Sequence, residues 1–121
     1  MAQRKIDVVV ASVKRLIRVG ASANLLNLLQ KQHPADLAGV LGELPERDRQ
    51  TAFDVLVERS PRHAMEALSE LGPGNGAHLL EGRSADEIAR YVQELESDDA
   101  AAIVEALPED LSRSVLDMMR G

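Results

Sequence analysis

Adjacent apolar pairs recur along this chain at a fixed interval. They are Leu16-Ile17, Leu28-Leu29, Val40-Leu41, Val55-Leu56, Ala67-Leu68, Leu79-Leu80, Tyr91-Val92, Ile103-Val104 and Val115-Leu116. Each step is 12 residues except the 15-residue step from Val40 to Val55. In most units another apolar residue follows three positions after the pair, as at Leu44, Leu71, Leu95, Leu107 and Met119. Such a period constrains the fold more than any other feature of the sequence.

One continuous helix does not satisfy it. Twelve residues is not a whole number of 3.6-residue turns, so the pairs would spiral around the axis and bury no single face. The breaks also fall between the pairs. Pro34, Pro45, Pro61, Pro73 and Pro108 all sit where a new helix would begin, a position where proline's missing N–H has no partner to lose. Ser60, Ser84 and Ser97 are candidate N-caps, and Ser84-Ala-Asp-Glu87 reads as a capping box. Gly72, Gly74, Gly76 and Gly82 mark turns.

The unit is therefore a helix of roughly eight to ten residues followed by a tight turn. A helix about 12–15 Å long is not stable alone and must bury its apolar pair against neighbours. The reading predicts an all-α solenoid of about nine short helices with a longer first one. Aromatic residues are only 2% of the chain, Phe53 and Tyr91, so the core is aliphatic. Ala38, Ala64, Ala67, Ala89 and Ala101 are expected to let helices pass closely.

Residues 1–20 stand apart from 21–121. Ile6, Val9, Val10, Val13, Leu16 and Ile17 form one helical stripe, with Arg4, Lys14, Arg15 and Arg18 on other faces. This segment reads as a basic amphipathic helix that caps the stack. Its other reading is a surface that meets a membrane or pairs with a second copy in a homodimer.

Charge is segregated. The net value is -6, made of +5 in residues 1–32 and -11 in residues 33–121. An acidic body argues against nucleic acid and favours a basic partner or divalent cations. The absence of cysteine excludes disulfides, thiolate catalysis and Cys-ligated zinc. No apolar run approaches the ~20 residues of a membrane helix, and no secretory signal is evident, so the expected address is the cytosol.

The glycine-rich stretch from Gly72 to Gly76 lacks the strand and lysine of a phosphate loop. His33, His63 and His78 have no partner at metal-ligand helical spacing, and His33 reads as a helix-entry residue. No nucleophile signature is present, and an enzyme is not expected. Carboxylates are the abundant reactive groups: Glu94, Glu96, Asp98 and Asp99, with Glu66 and Glu70 two units earlier. Repeats that stack could bring these acids to one edge, where a hard dication such as Mg²⁺ takes one or two carboxylates and keeps its waters. Acids at a helix start are equally served by the helix dipole.

His33-Pro-Ala-Asp-Leu-Ala38 and Glu43-Leu-Pro45, followed by Ser97-Asp-Asp-Ala-Ala101 and Ala106-Leu-Pro108, resemble the cytosolic N-terminal domain of the MgtE family of magnesium transporters over roughly residues 20–119. The resemblance implies a right-handed superhelix of short helices, followed in the family by CBS domains and a membrane pore. It implies a non-enzymatic regulator on the cytosolic face of the membrane, which senses Mg²⁺ at an interface shared with the CBS domains and gates the pore. In Arg62-His-Ala-Met-Glu66-Ala-Leu-Ser-Glu-Leu71, Glu66 matches a metal-contacting acid of the family; Asp98 matches another, and Asp99 is its neighbour. A further family acid, one turn beyond Asp98, is Ala102 here, so weak Mg²⁺ binding by the chain alone is expected. The His-Pro segment and helical repeats also resemble the FliG middle domain of the flagellar motor, which implies a protein-docking module. A free-standing scaffold is the remaining reading.

Overall fold

The computed structural model describes residues 3–120. Among these residues it contains nine helices and no strand: α1 (Gln3–Val19), α2 (Ser22–Gln30), α3 (Pro34–Glu43), α4 (Glu46–Arg59), α5 (Pro61–Glu70), α6 (Pro73–Leu80), α7 (Ala85–Val92), α8 (Ser97–Ala106) and α9 (Glu109–Arg120). The chain is all-α, a stack of short helices as the periodicity requires.

All five prolines stand at helix entries. Pro34, Pro61 and Pro73 open α3, α5 and α6, while Pro45 and Pro108 immediately precede α4 and α9. Ser84 caps α7, with its Oγ accepting from the Glu87 N–H and the Glu87 carboxylate accepting from the Ser84 N–H. His33 caps α3 through Nδ1, which accepts the Ala35 N–H at 3.2 Å. Two expected caps differ. Ser60 occupies the cap position of α5 but makes no capping bond; its Oγ accepts instead from Gln30 Nε2 at 2.6 Å. Ser97 is the first helical residue of α8, and Glu96 takes the cap position without a side-chain bond.

The turn from α1 into α2 is made by Gly20 at φ 73°. Gly20 N–H bonds Ile17 O at 3.1 Å and Ala21 N–H bonds Leu16 O at 3.0 Å, the paired closure that suits a glycine in the left-handed region. The α3 end is closed from outside: Arg49 Nε donates to Leu41 O at 2.7 Å and Nη2 to Leu44 O at 3.1 Å.

Packing follows a next-but-one rule. α1 packs on α3, α3 on α5, α5 on α7 and α7 on α9, while α2 packs on α4 and α6 on α8. α1 also lies against α2 and α4. One core runs through the stack, from Val9 and Val13 to Ile103 and Val115. Gly76 of α6 is placed by this packing: an added Cβ would lie 2.6 Å from Cδ2 and 3.1 Å from Cγ of Leu68.

The doublets hold the seam unevenly, and Leu16, Ile17 and Leu28 are only half-buried. At α4 the fully buried pair is Leu56-Val57, one residue later than expected, because this 14-residue helix absorbs the long step in the beat and leaves Val55 half-buried. Leu116 and Met119 of α9 are exposed, and so is Ala101 of α8, which no passing helix covers.

Between α4 and α6 the row is bridged by polar contacts. Gln50 Nε2 donates to Leu79 O at 2.9 Å, and His78 reaches Glu46. Arg83 Nη2 donates to Asp54 Oδ1 at 2.8 Å and Nη1 to Glu87 at 3.2 Å, with its guanidinium over the Tyr91 ring. Its side chain is only 12% exposed, so desolvation works against its charge while Asp54, Tyr91 and Glu87 hold it.

Candidate functional site

The inner face of α5 buries Ala64, Met65, Ala67 and Leu68. This burial fixes where the rest of the helix points. Residues one and two turns apart share a face, so Arg62, Glu66, Ser69 and Glu70 form one outward wall. The opposite wall comes from the α7–α8 turn. Tyr91 and Val92 are buried, and the chain reverses as Glu94 N–H bonds Tyr91 O at 3.0 Å and Leu95 N–H bonds Val92 O at 3.1 Å. Glu96 is then extended, with ψ 155°, and α8 starts. Between the walls lies a polar groove of about 260 Å³ lined by Arg62, Glu66, Ser69, Glu70, Glu94, Leu95, Glu96 and Asp99.

The groove therefore joins acids from two parts of the chain that the repeat brings side by side. Glu66 and Asp99 both line it, together with Glu70, Glu94 and Glu96. Asp98 is exposed in the first turn of α8 but is not among the lining residues. Ala102 is half-buried and offers no oxygen.

One cation faces these acids. Arg62 Nε lies 3.8 Å from Glu66 Oε1, with the two side chains 79% and 48% exposed. An ion pair this open and this long holds Glu66 weakly. Among the described residues, Glu70, Glu94, Glu96 and Asp99 make no ion pair. Also among the described residues, no three Asp, Glu or His side chains stand close enough to hold a metal ion by themselves. The donor set is hard carboxylate oxygen, which suits a hard dication.

A second charged cluster went unread in the sequence. His78 Nδ1 lies 2.9 Å from Glu81 Oε2, and its Nε2 faces Glu46 of α4. Both acids hold the imidazole pKa above its ordinary value, Glu46 most strongly through its hydrogen bond. Glu81 stands one turn from His78 and was open to recognition as a helical neighbour. Glu46 lies 32 residues away and carries no local signal.

No helix among the described residues is long and apolar enough to cross a membrane. No curated protein and no solved structure gives a significant match to the chain. A family model described as the MgtE intracellular N domain matches residues 32–120. That span takes in α3 through α9 whole, and with them both walls of the acidic groove; α1 and α2 lie before it. The chain belongs to the MgtE intracellular N domain family.

Proposed function

We propose that this chain is the cytosolic regulatory domain of a magnesium transporter, and that its acidic groove is one half of an intracellular Mg²⁺ sensor completed by the transporter's CBS domains. The observation that carries this reading is the convergence of Glu66, Glu70, Glu94, Glu96 and Asp99 on one groove in a chain of this family.

Glu66 and Asp99 hold the ion from opposite walls, and Asp98 reaches toward the partner from the same helix start. Without metal, the groove carboxylates repel an acidic partner face. Two like charges 4 Å apart cost about 4 kcal/mol at an effective dielectric of 20. Bound Mg²⁺ supplies the positive charge that offsets this repulsion. The compact arrangement of domain and partner is then favoured by the ion's differential affinity for it, and the pore is held closed. As Mg²⁺ falls, the acids separate from their partner and the restraint on the pore is released. The chain takes no part in bond-making chemistry under this reading.

The test is an NMR titration of the chain with MgCl₂. The expected result is fast-exchange shifts confined to Glu66, Glu94, Glu96 and Asp99, with a millimolar midpoint, lost in the Glu66→Gln/Asp99→Asn double variant. The melting temperature should barely move, because half of the ligands are elsewhere. Shifts scattered over the surface, or none in the groove, would sink the reading. Strong thermal stabilisation by Mg²⁺ would replace the shared site with a complete one inside the chain.

A further inference from the structure

α1 turns one apolar face into the stack: Val9, Val10 and Val13 are buried, and Ile6, Leu16 and Ile17 pack against the same core. Its opposite face, at steps of three and four residues, carries Arg4, Val8, Ala11, Arg15, Arg18 and Val19, all exposed. Lys5 and Lys14 stand exposed at its edges. Among the described residues, none of these five cations makes an ion pair. Asp7, the acid on this helix, accepts instead from Gln3 Nε2 at 3.0 Å. Val8 and Val19 are 60% and 66% exposed, more open than any other large apolar side chain among the described residues.

We propose that this face of α1 lies on the surface of a bilayer rich in anionic phospholipid. Its charge selects an anionic surface. Valines beside basic side chains suit the headgroup boundary, where the short apolar groups enter and the long stems of Arg and Lys reach to phosphate. The dimensions disfavour a protein partner. A 17-residue helix is about 25 Å long and about 10 Å wide, so the face offers roughly 250 Å². A stable protein interface takes about 800 Å² from each partner. A further helix of the chain's own stack does not fit either. The helix contacts of this molecule are closed by apolar side chains, with no charged residue buried among the described ones. A helix laid on this face would strip water from Arg4, Arg15 and Arg18 without pairing them. Nor does the acidic groove oppose the contact. α3 stands between α1 and α5 in the row. At about 8–10 Å per helix step the groove is roughly 16–20 Å away, about two Debye lengths in physiological salt. No residue of that groove takes part, so the contact is independent of Mg²⁺ binding.

The test is co-sedimentation of the chain with vesicles of equal parts phosphatidylglycerol and phosphatidylcholine in metal-free buffer. The expected result is saturable binding at about 50 mM salt that weakens about tenfold or more by about 300 mM, with none to pure phosphatidylcholine. Arg15→Glu/Arg18→Glu abolishes binding and leaves the melting temperature unchanged, because both sites are exposed. Val8→Asp weakens it severalfold. Arg113→Glu/Arg120→Glu makes the same change of charge at exposed sites on α9 and leaves binding intact. Four results would overturn the proposal: no binding at low salt, equal binding to neutral vesicles, equal loss in the two double variants, or soluble polyglutamate bound as tightly as the vesicles. The last would give the face to an acidic polypeptide. Dimerisation of the chain that Arg15→Glu/Arg18→Glu abolishes would also overturn it, by giving the face to a second copy.

Discussion

The Nε2 of His78 lies 2.5 Å from the Oε1 of Glu46, so a residue of α6 is fastened to the start of α4 across 32 positions of sequence. Glu81 takes the other ring nitrogen, and the two acids raise the imidazole pKa. A raised folded-state pKa means that the folded chain binds the proton more tightly than the unfolded chain. The stabilisation is fully present below the ordinary value of 6.5 and is lost as pH rises through the raised value. Thermal melts of the parent and His78→Gln should therefore diverge on the acid side and converge as pH rises through the raised value. Parallel melting curves across that range would mean that the imidazole carries no net stabilisation.

At the start of α7 the sign is opposite. The Ser84 N–H, foremost among its neighbours, lowers the Glu87 pKa. The associated stability is present above the ordinary carboxylate value and disappears as pH falls through the lowered one. Replacing Ser84 by Ala removes the cap on the Glu87 N–H and should cost about 1 kcal/mol. Urea denaturation of the two proteins at neutral pH measures it directly.

Leu68 is fully buried and touches the position that Gly76 leaves open. Truncation to Ala should lower stability by about 2–5 kcal/mol, the loss of transfer energy plus the cavity left behind. Gly76→Val acts on the same contact from the other side and should also destabilise, through overpacking. Either variant with the parent's denaturation midpoint would contradict the packing of α5 on α6.

Among the described residues, Arg62 is the one cation lining the acidic groove. Its removal takes a positive charge away from the place where Mg²⁺ is proposed to sit. At a surface separation of several ångströms this is worth about 1 kcal/mol before salt screening. Arg62→Ala should shift the midpoint of the MgCl₂ titration downward by roughly threefold at low ionic strength. An unchanged or weaker midpoint would place the ion elsewhere.

Much of this architecture was readable because its determinants are local. Each proline marks a helix entry by its own geometry, and most doublets mark a buried face by their own hydropathy. Ser84 and Glu87 announce their cap within four residues. The beat misled at α4, where extra length moved the buried pair to Leu56-Val57. It misled again at Ala101, Leu116 and Met119, since periodicity says which face is apolar but not whether a neighbour arrives to cover it. In the candidate groove, the resemblance pointed to Glu66 and Asp98, with Asp99 only as the neighbour of Asp98; the structure lines the groove with Glu66 and Asp99 and adds Glu70, Glu94 and Glu96. Asp98 shows the limit: one residue along a helix turns a side chain by about 100°, and adjacency in sequence does not give a shared wall. The links from Asp54 to Arg83 and from Glu46 to His78 left no trace, because a single charge 29 or 32 residues away has no spacing rule to betray it.

The two rows of helices differ in kind. Odd-numbered members touch continuously from α1 to α9, whereas the even-numbered ones are interrupted between α4 and α6, where Gln50, His78 and Arg83 reach across. Polar side chains thus join the second row at a single step, while α2 on α4 and α6 on α8 meet directly. The aliphatic interior runs on beneath that polar step, so loss of Gln50, His78 or Arg83 would uncouple α4 from α6 without opening the core.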